Sequence, residues 1–132
     1  MTIKECVSQA GITYSELDYI NAHGTSTKLN DLNETNALKL ALGKHAYSIP
    51  ISSTKSYSGH LISAAGTFET IVCLQAMNAN IIPATLNLIN PDPECDLDYV
   101  AGDHRKAVIN HALNLSFGFG GANAALMLEK YS

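Results

Sequence analysis

Apolar residues in this chain fall into short runs separated by glycine-marked breaks, and their order predicts an α/β arrangement. Residues 3–10 have helical composition and stop at Gly11, which accepts the positive φ of a helix end. Thr13 and Glu16 are spaced as a capping box, with residues 18–22 as a strand beyond it. After a loop around His23, Asp31 caps or charges the start of a helix that runs to Leu42 and ends at Gly43. Leu32, Thr35, Leu38, Ala41 and Leu42 share one face of it. Residues 49–53 form a second strand. A helix from Gly59 to Met77 follows, apolar nearly all round, so it should sit centrally and be covered on several sides. Ala64, Ala65 and Gly66 near its start allow another backbone to come close.

The remainder reads as extended chain. Residues 81–86 are extended but interrupted by Pro83, and Asn90-Pro91-Asp92-Pro93 makes a rigid surface loop. Two apolar runs, 107–116 and 122–130, are joined by Phe117-Gly118-Phe119-Gly120-Gly121, which predicts an antiparallel hairpin. These two strands should lie beside 18–22 and 49–53 in one mixed sheet. With no repeat, low-complexity segment or linker, residues 1–132 read as a single unit.

Composition narrows the possible functions. A hydrophobic fraction of 46% against 15% charged describes a globular chain with a core. The net charge of −4 and pI near 5.6 leave no basic field for nucleic acid or an anionic membrane. The longest apolar stretch, 61–77, is broken by Ser63, Gly66, Glu69 and Gln75, which marks a core helix and not a membrane span. Cys6, Cys73 and Cys95 are odd in number and unpaired in spacing, as expected of reduced, buried thiols in a cytoplasmic protein. Residues 1–6 carry no basic region followed by an apolar one, so no secretory signal is expected of them.

Two histidines stand apart from the other three. His23, in Asn21-Ala22-His23-Gly24-Thr25-Ser26-Thr27, and His60, in Ser53-Thr54-Lys55-Ser56-Tyr57-Ser58-Gly59-His60, each follow a strand, lie among glycines and hydroxyls, and precede a helix. Both imidazoles should therefore meet at the carboxyl edge of the sheet, where α/β folds bind ligands. His45, His104 and His111 read as structural. Neither His23 nor His60 has a second ligand at close helical spacing, so acid/base or hydrogen-bond chemistry ranks above a metal site. Lys55, if buried, needs a carboxylate, and Glu34 or Asp31 is available. The glycines at 118, 120 and 121 lead into a strand, so they suit a tight turn presenting backbone amides better than a phosphate loop.

Four segments in order, 21–27 (N-A-H-G-T-S-T), 53–60 (S-T-K-S-Y-S-G-H) with Ala64-Ala65-Gly66, 87–98 (N-L-I-N-P-D-P-E-C-D-L-D) and 116–123 (S-F-G-F-G-G-A-N), resemble the C-terminal half of β-ketoacyl-acyl-carrier-protein synthases. The elongating type II synthases of fatty acid synthesis are the nearest likeness. Modular polyketide ketosynthases usually carry E-A-H-G-T-G-T and K-S-N-I-G-H at these places.

The resemblance implies the C-terminal half of a thiolase-like fold, a mixed sheet with covering helices. It makes His23 and His60 the two catalytic histidines and Lys55 the supporting lysine, with Glu34 as its partner. Thr25 and Thr27 match hydroxyls that hold a pantetheine arm. Phe119 matches a gating phenylalanine whose amide also serves the oxyanion hole. No cofactor is implied, since substrates arrive on the phosphopantetheine arm of an acyl carrier protein. The implied partners are that carrier, the N-terminal ketosynthase half, which brings the nucleophilic cysteine and is expected to lie outside this chain, and a second copy in a homodimer. A non-catalytic subunit resembling a chain-length factor, or an inactive truncated product, are the alternatives.

The expected chemistry is stabilisation of an enolate. Two neutral imidazole N–H donors aimed at its oxygen hold the charge formed when a malonyl thioester loses CO2. A helix N-terminus next to His60 would keep that ring neutral. One departure from the family pattern stands out: Thr27-Lys28-Leu29-Asn30-Asp31 replaces T-P-L-G-D.

Overall fold

A computed structural model describes residues 2–131, and of Phe119 the backbone alone. The chain runs through α1 (Thr2–Ala10), a 3₁₀ turn (Tyr14–Glu16), β1 (Tyr19–Asn21), α2 (Lys28–Leu42), a second 3₁₀ turn (Gly43–Tyr47) and β2 (Ile51–Ser52). It continues through α3 (Lys55–Ser58), a 3₁₀ turn (Ile62–Ala64), α4 (Ala65–Ala79), β3 (Ile81–Ile82), β4 (Arg105–Lys106), β5 (His111–Phe117), a turn (Phe119–Gly121) and β6 (Asn123–Glu129).

Four strands form a mixed sheet in the order β2-β1-β5-β6. β1 is parallel to both neighbours, with Ile20 opposite Ile51 on one side and Leu113 on the other. β5 and β6 are antiparallel in full register from His111↔Glu129 to Phe117↔Asn123, which is the hairpin expected from the two apolar runs. Strand side chains alternate between faces. Ile20, Ile51, Leu113 and Leu115 pack with Ile3 of α1 and Leu38, Ala41 and Leu42 of α2. Tyr19 and Ala112 point the other way, onto Cys73, Ala76 and Met77 of α4. Helices therefore cover both faces, the α/β layering read from the sequence.

The Thr13–Glu16 capping box forms, with the Thr13 amide donating to Glu16 Oε2 at 2.8 Å. Helix α2 begins earlier than expected. Thr27 is its N-cap, accepting from the Asn30 amide at 3.4 Å, and Asp31 lies in the first turn.

The expected single helix from Gly59 to Met77 is instead a loop, a 3₁₀ turn (Ile62–Ala64) and then α4. Gly59, at φ +72°, ends the four-residue α3, and Ile62 has φ +52°, so regular helix starts only at Ala65. Helix α4 is also covered on one side only by the described residues. Ile71 and Leu74, three apart on its other side, are 52% and 44% exposed. β4 pairs antiparallel with β3 in a small second sheet that the sequence did not suggest. Among the described residues no helix is long and apolar enough to cross a membrane.

Candidate active site

Because β2, β1 and β5 run parallel, their carboxyl ends open on one edge of the sheet. That edge collects His23 from the β1 loop, the 53–60 segment beyond β2, and Phe117-Gly118 at the end of β5. The His23 and His60 rings meet edge to face, 5.4 Å between centroids and 84° between planes. The Phe117 ring also packs on His23, 5.9 Å between centroids. The sequence did not single out Phe117. Its place at the end of the strand paired with β1 was the available signal.

Each imidazole is set by a different device. His60 is exposed, and its Nδ1 accepts from the Ile62 amide at 3.1 Å. With Nδ1 an acceptor, Nε2 is the ring nitrogen that carries a proton and can donate. This amide takes the place of the helix N-terminus expected beside His60, since α4 begins five residues further on. His23 is buried and its Nδ1 has no hydrogen-bond partner among the described residues. Burial, then the charge of Lys55 and then His60 push its pKa down to about 4, so the ring is neutral at pH 7. Ser26 after His23 and Ile62 after His60 are non-glycine residues with positive φ. Such strain persists only where surrounding contacts enforce it, and it recurs at functional sites.

Lys55 is buried beneath the histidines and is paired with Glu69 of α4. This corrects the expected Lys55–Glu34 pair. Glu34 is buried too, but its carboxylate faces the His23 loop, accepting from the His23 amide at 2.8 Å and the Gly24 amide at 2.9 Å. Asn30 donates to it as well, at 3.3 Å, so the asparagine in the divergent T-K-L-N-D segment completes a three-donor cradle. Burial raises the Glu34 pKa while the two amides and Asn30 lower it. Glu69 was visible in the sequence as a carboxylate in an otherwise apolar helix. Such a group demands a buried cation, and Lys55 is that cation.

The threonines expected to hold pantetheine sit at the cavity mouth. Thr25 and Thr27 hydroxyls are 3.0 Å apart, and both line the cavity shared by His23, His60 and Phe117. Gly118 and Gly120, on either side of Phe119, line it too. The Gly118 amide donates to the Ala122 carbonyl at 2.7 Å, closing the tight turn anticipated there. The Phe119 side chain, to which a gating role was assigned, lies outside the described residues.

Cys73 is buried in α4 and its thiol is pushed up to about 12, chiefly by burial. Cys6 is also raised by burial. Cys95 is half-buried and lines a second cavity that His60 and Lys55 border. Among the described residues no three His, Cys, Asp or Glu side chains gather as metal ligands.

Residues 1–89 match the β-ketoacyl synthase C-terminal domain family. Over 125 residues, 95% of this chain, the sequence is 50% identical to 3-oxoacyl-[acyl-carrier-protein] synthase 2 of Synechocystis sp. and covers 30% of that protein. A type II polyketide ketosynthase, solved in complex with its acyl-carrier protein and bound to the hexaketide, superposes with a TM-score of 0.95 at 38% identity, over 98% of this chain and 32% of that one. The ishigamide ketosynthase/chain length factor superposes at 0.94 with 35% identity, over the same 98% and 32%. The chain thus spans about a third of the length of the relatives it matches. The α/β fold is that of the thiolase-like ketosynthases, and the chain belongs to the β-ketoacyl synthase C-terminal domain family.

Proposed function

We propose that this chain supplies the histidine side of a 3-oxoacyl-acyl-carrier-protein synthase of fatty acid synthesis, completed by an N-terminal half that carries the nucleophilic cysteine. The observation that supports it most is the edge-to-face pair of His23 and His60 at the sheet edge. In this reaction the malonyl thioester on an acyl carrier protein loses its carboxylate as CO2, and the bonding electrons pass into an enolate. N–H groups of His23 and His60 hold the enolate oxygen as its charge grows. The enolate carbon then attacks the carbonyl of an acyl group held on the cysteine, and the cysteine leaves as thiolate.

The remaining residues have roles in the same reading. Thr25 and Thr27 hold the phosphopantetheine arm at the cavity mouth, and Lys55 with Glu69 sets the charge behind the histidines. Glu34 supports the His23 loop, and the Phe119 amide serves the oxyanion of acyl transfer, with its ring as gate. The carrier protein brings the substrates, the complete enzyme is a homodimer, and it works in the cytoplasm. A non-catalytic role resembling a chain-length factor is disfavoured by the retention of both histidines and Lys55, which a structural subunit does not need chemically. Co-expression with the N-terminal half of a relative, followed by assay of condensation, tests the proposal. Product is expected with the parent chain and not with His23→Ala or His60→Ala. Condensation at parent rate by both variants contradicts it.

A further inference from the structure

Nothing hydrogen-bonds the His23 ring at Nδ1 among the described residues, so besides its packing on His60 and Phe117 the ring depends on the backbone that carries it. That backbone is gripped at the next residue from two sides. The Gly24 amide donates to Glu34 Oε2 at 2.9 Å, and the Gly24 carbonyl accepts from the Ser53 hydroxyl at 2.6 Å. Gly24 has φ +43°, and a Cβ placed on it would lie 2.5 Å from both Cβ and Oγ of Ser53. Glycine at 24 and serine at 53 are therefore a matched pair, one removing the side chain so that the other can reach the carbonyl.

Ser53 is held in turn. Its amide donates to Thr85 Oγ1 at 3.1 Å, its carbonyl accepts from Ser56 Oγ at 2.8 Å, and Thr85 Oγ1 donates to the Tyr99 carbonyl at 2.7 Å. The hydroxyl is thus aimed by a backbone tied to the segment between β3 and β4. Ser53 is two residues from Lys55 and on the segment that carries His60, so its bond to Gly24 joins the two histidine-bearing segments directly.

We propose that Ser53 is a positioning residue for His23, fixing the imidazole against His60 through the Gly24 carbonyl. Its consequence for rate rests on the functional reading above, whereas its consequence for ring position does not. Lys55, His60 and Glu34 are the charged or titratable groups around His23, and Ser53→Ala changes none of them.

The test is Ser53→Ala in the full chain, with histidine side chains followed by ¹⁵N NMR through a pH titration and His45 as internal reference. The His23 titration should move upward, toward the ordinary histidine range, as the loop loosens and water reaches the ring, while His45 stays in place. Ser53→Cys, a weaker donor of similar shape, should fall between, and it carries the test if the alanine variant fails to fold. In the complex with an N-terminal half, Ser53→Ala should lower kcat about tenfold with little change in KM. A His23 titration unchanged in a folded Ser53 variant overturns the proposal. A shifted titration alongside parent-rate decarboxylation by His23→Ala supports the positioning and refutes the functional reading instead.

Discussion

Lys55 and Glu69 form an ion pair buried between α3 and α4 through Glu69 Oε1, and Glu69 Oε2 has no hydrogen-bond partner among the described residues. Burial raises the Glu69 carboxyl pKa and Lys55 pulls it back. A pair of this kind adds little net stability over an apolar pair, yet loss of one member is costly because the other charge is stranded. Lys55→Ala should therefore destabilise the chain by about 3–5 kcal/mol in urea unfolding. The double variant Lys55→Met/Glu69→Leu should recover most of that loss, and a double variant as unstable as the single one would show that stranding is not the cause.

Stability should carry the signature of His23. Its folded-state pKa of about 4 lies below the ordinary 6.5, so as pH falls the unfolded chain takes up the proton first. The contribution is complete above pH 6.5 and is lost progressively as pH falls to about 4. The raised carboxyls of Glu34 and Glu69 act in the opposite sense, so the difference between parent and His23→Gln isolates the histidine. Parallel stability curves for the two proteins between pH 4 and 6.5 would show that His23 is not held neutral by burial.

The open side of α4 should drive association. Ile71 and Leu74 form a small apolar stripe that the described residues leave uncovered. Sedimentation should show the parent chain self-associating with concentration, and Ile71→Glu/Leu74→Gln should sediment as a folded monomer. Equal association by parent and variant would place the contact elsewhere.

Incubation of the chain with an acyl-carrier-protein thioester should leave all three cysteines unmodified by mass spectrometry. Cys6 and Cys73 are held as thiols by burial. Cys95 is the informative one, because it shares a cavity with His60. A stoichiometric adduct on Cys95 that disappears in His60→Ala would move the nucleophile into this chain.

What the sequence made legible was whatever repeats locally. Alternating apolar runs around the Phe117–Gly121 stretch announced the β5–β6 hairpin, and the shared strand-glycine-helix setting of His23 and His60 announced their meeting. What it hid depends on contacts between distant residues. Lys55 and Glu69 are 14 positions apart across a break between two helices, so no helical spacing links them, and Glu34 looked equally able to serve. The break itself was hidden because Gly59 and Ile62 adopt positive φ inside a run that is apolar enough to be one helix. β4 escaped because two exposed residues, Arg105 and Lys106, carry no apolar alternation and pair only because β3 is beside them. Ser53 carries no local mark that sets it apart from other loop hydroxyls, because the carbonyl it bonds, Gly24, is 29 positions away.

The central claim is that His23 and His60 stabilise an enolate, and the most direct measurement separates the two half-reactions. With an N-terminal half supplied, release of CO2 from malonyl-acyl-carrier protein and transfer of the first acyl group to the cysteine are timed independently. His23→Ala and His60→Ala should each slow decarboxylation on the order of a hundredfold or more, the scale of one preorganised donor lost. Acyl transfer should suffer less, because backbone amides would still bind that oxyanion. Decarboxylation at the parent rate in both variants would contradict the account.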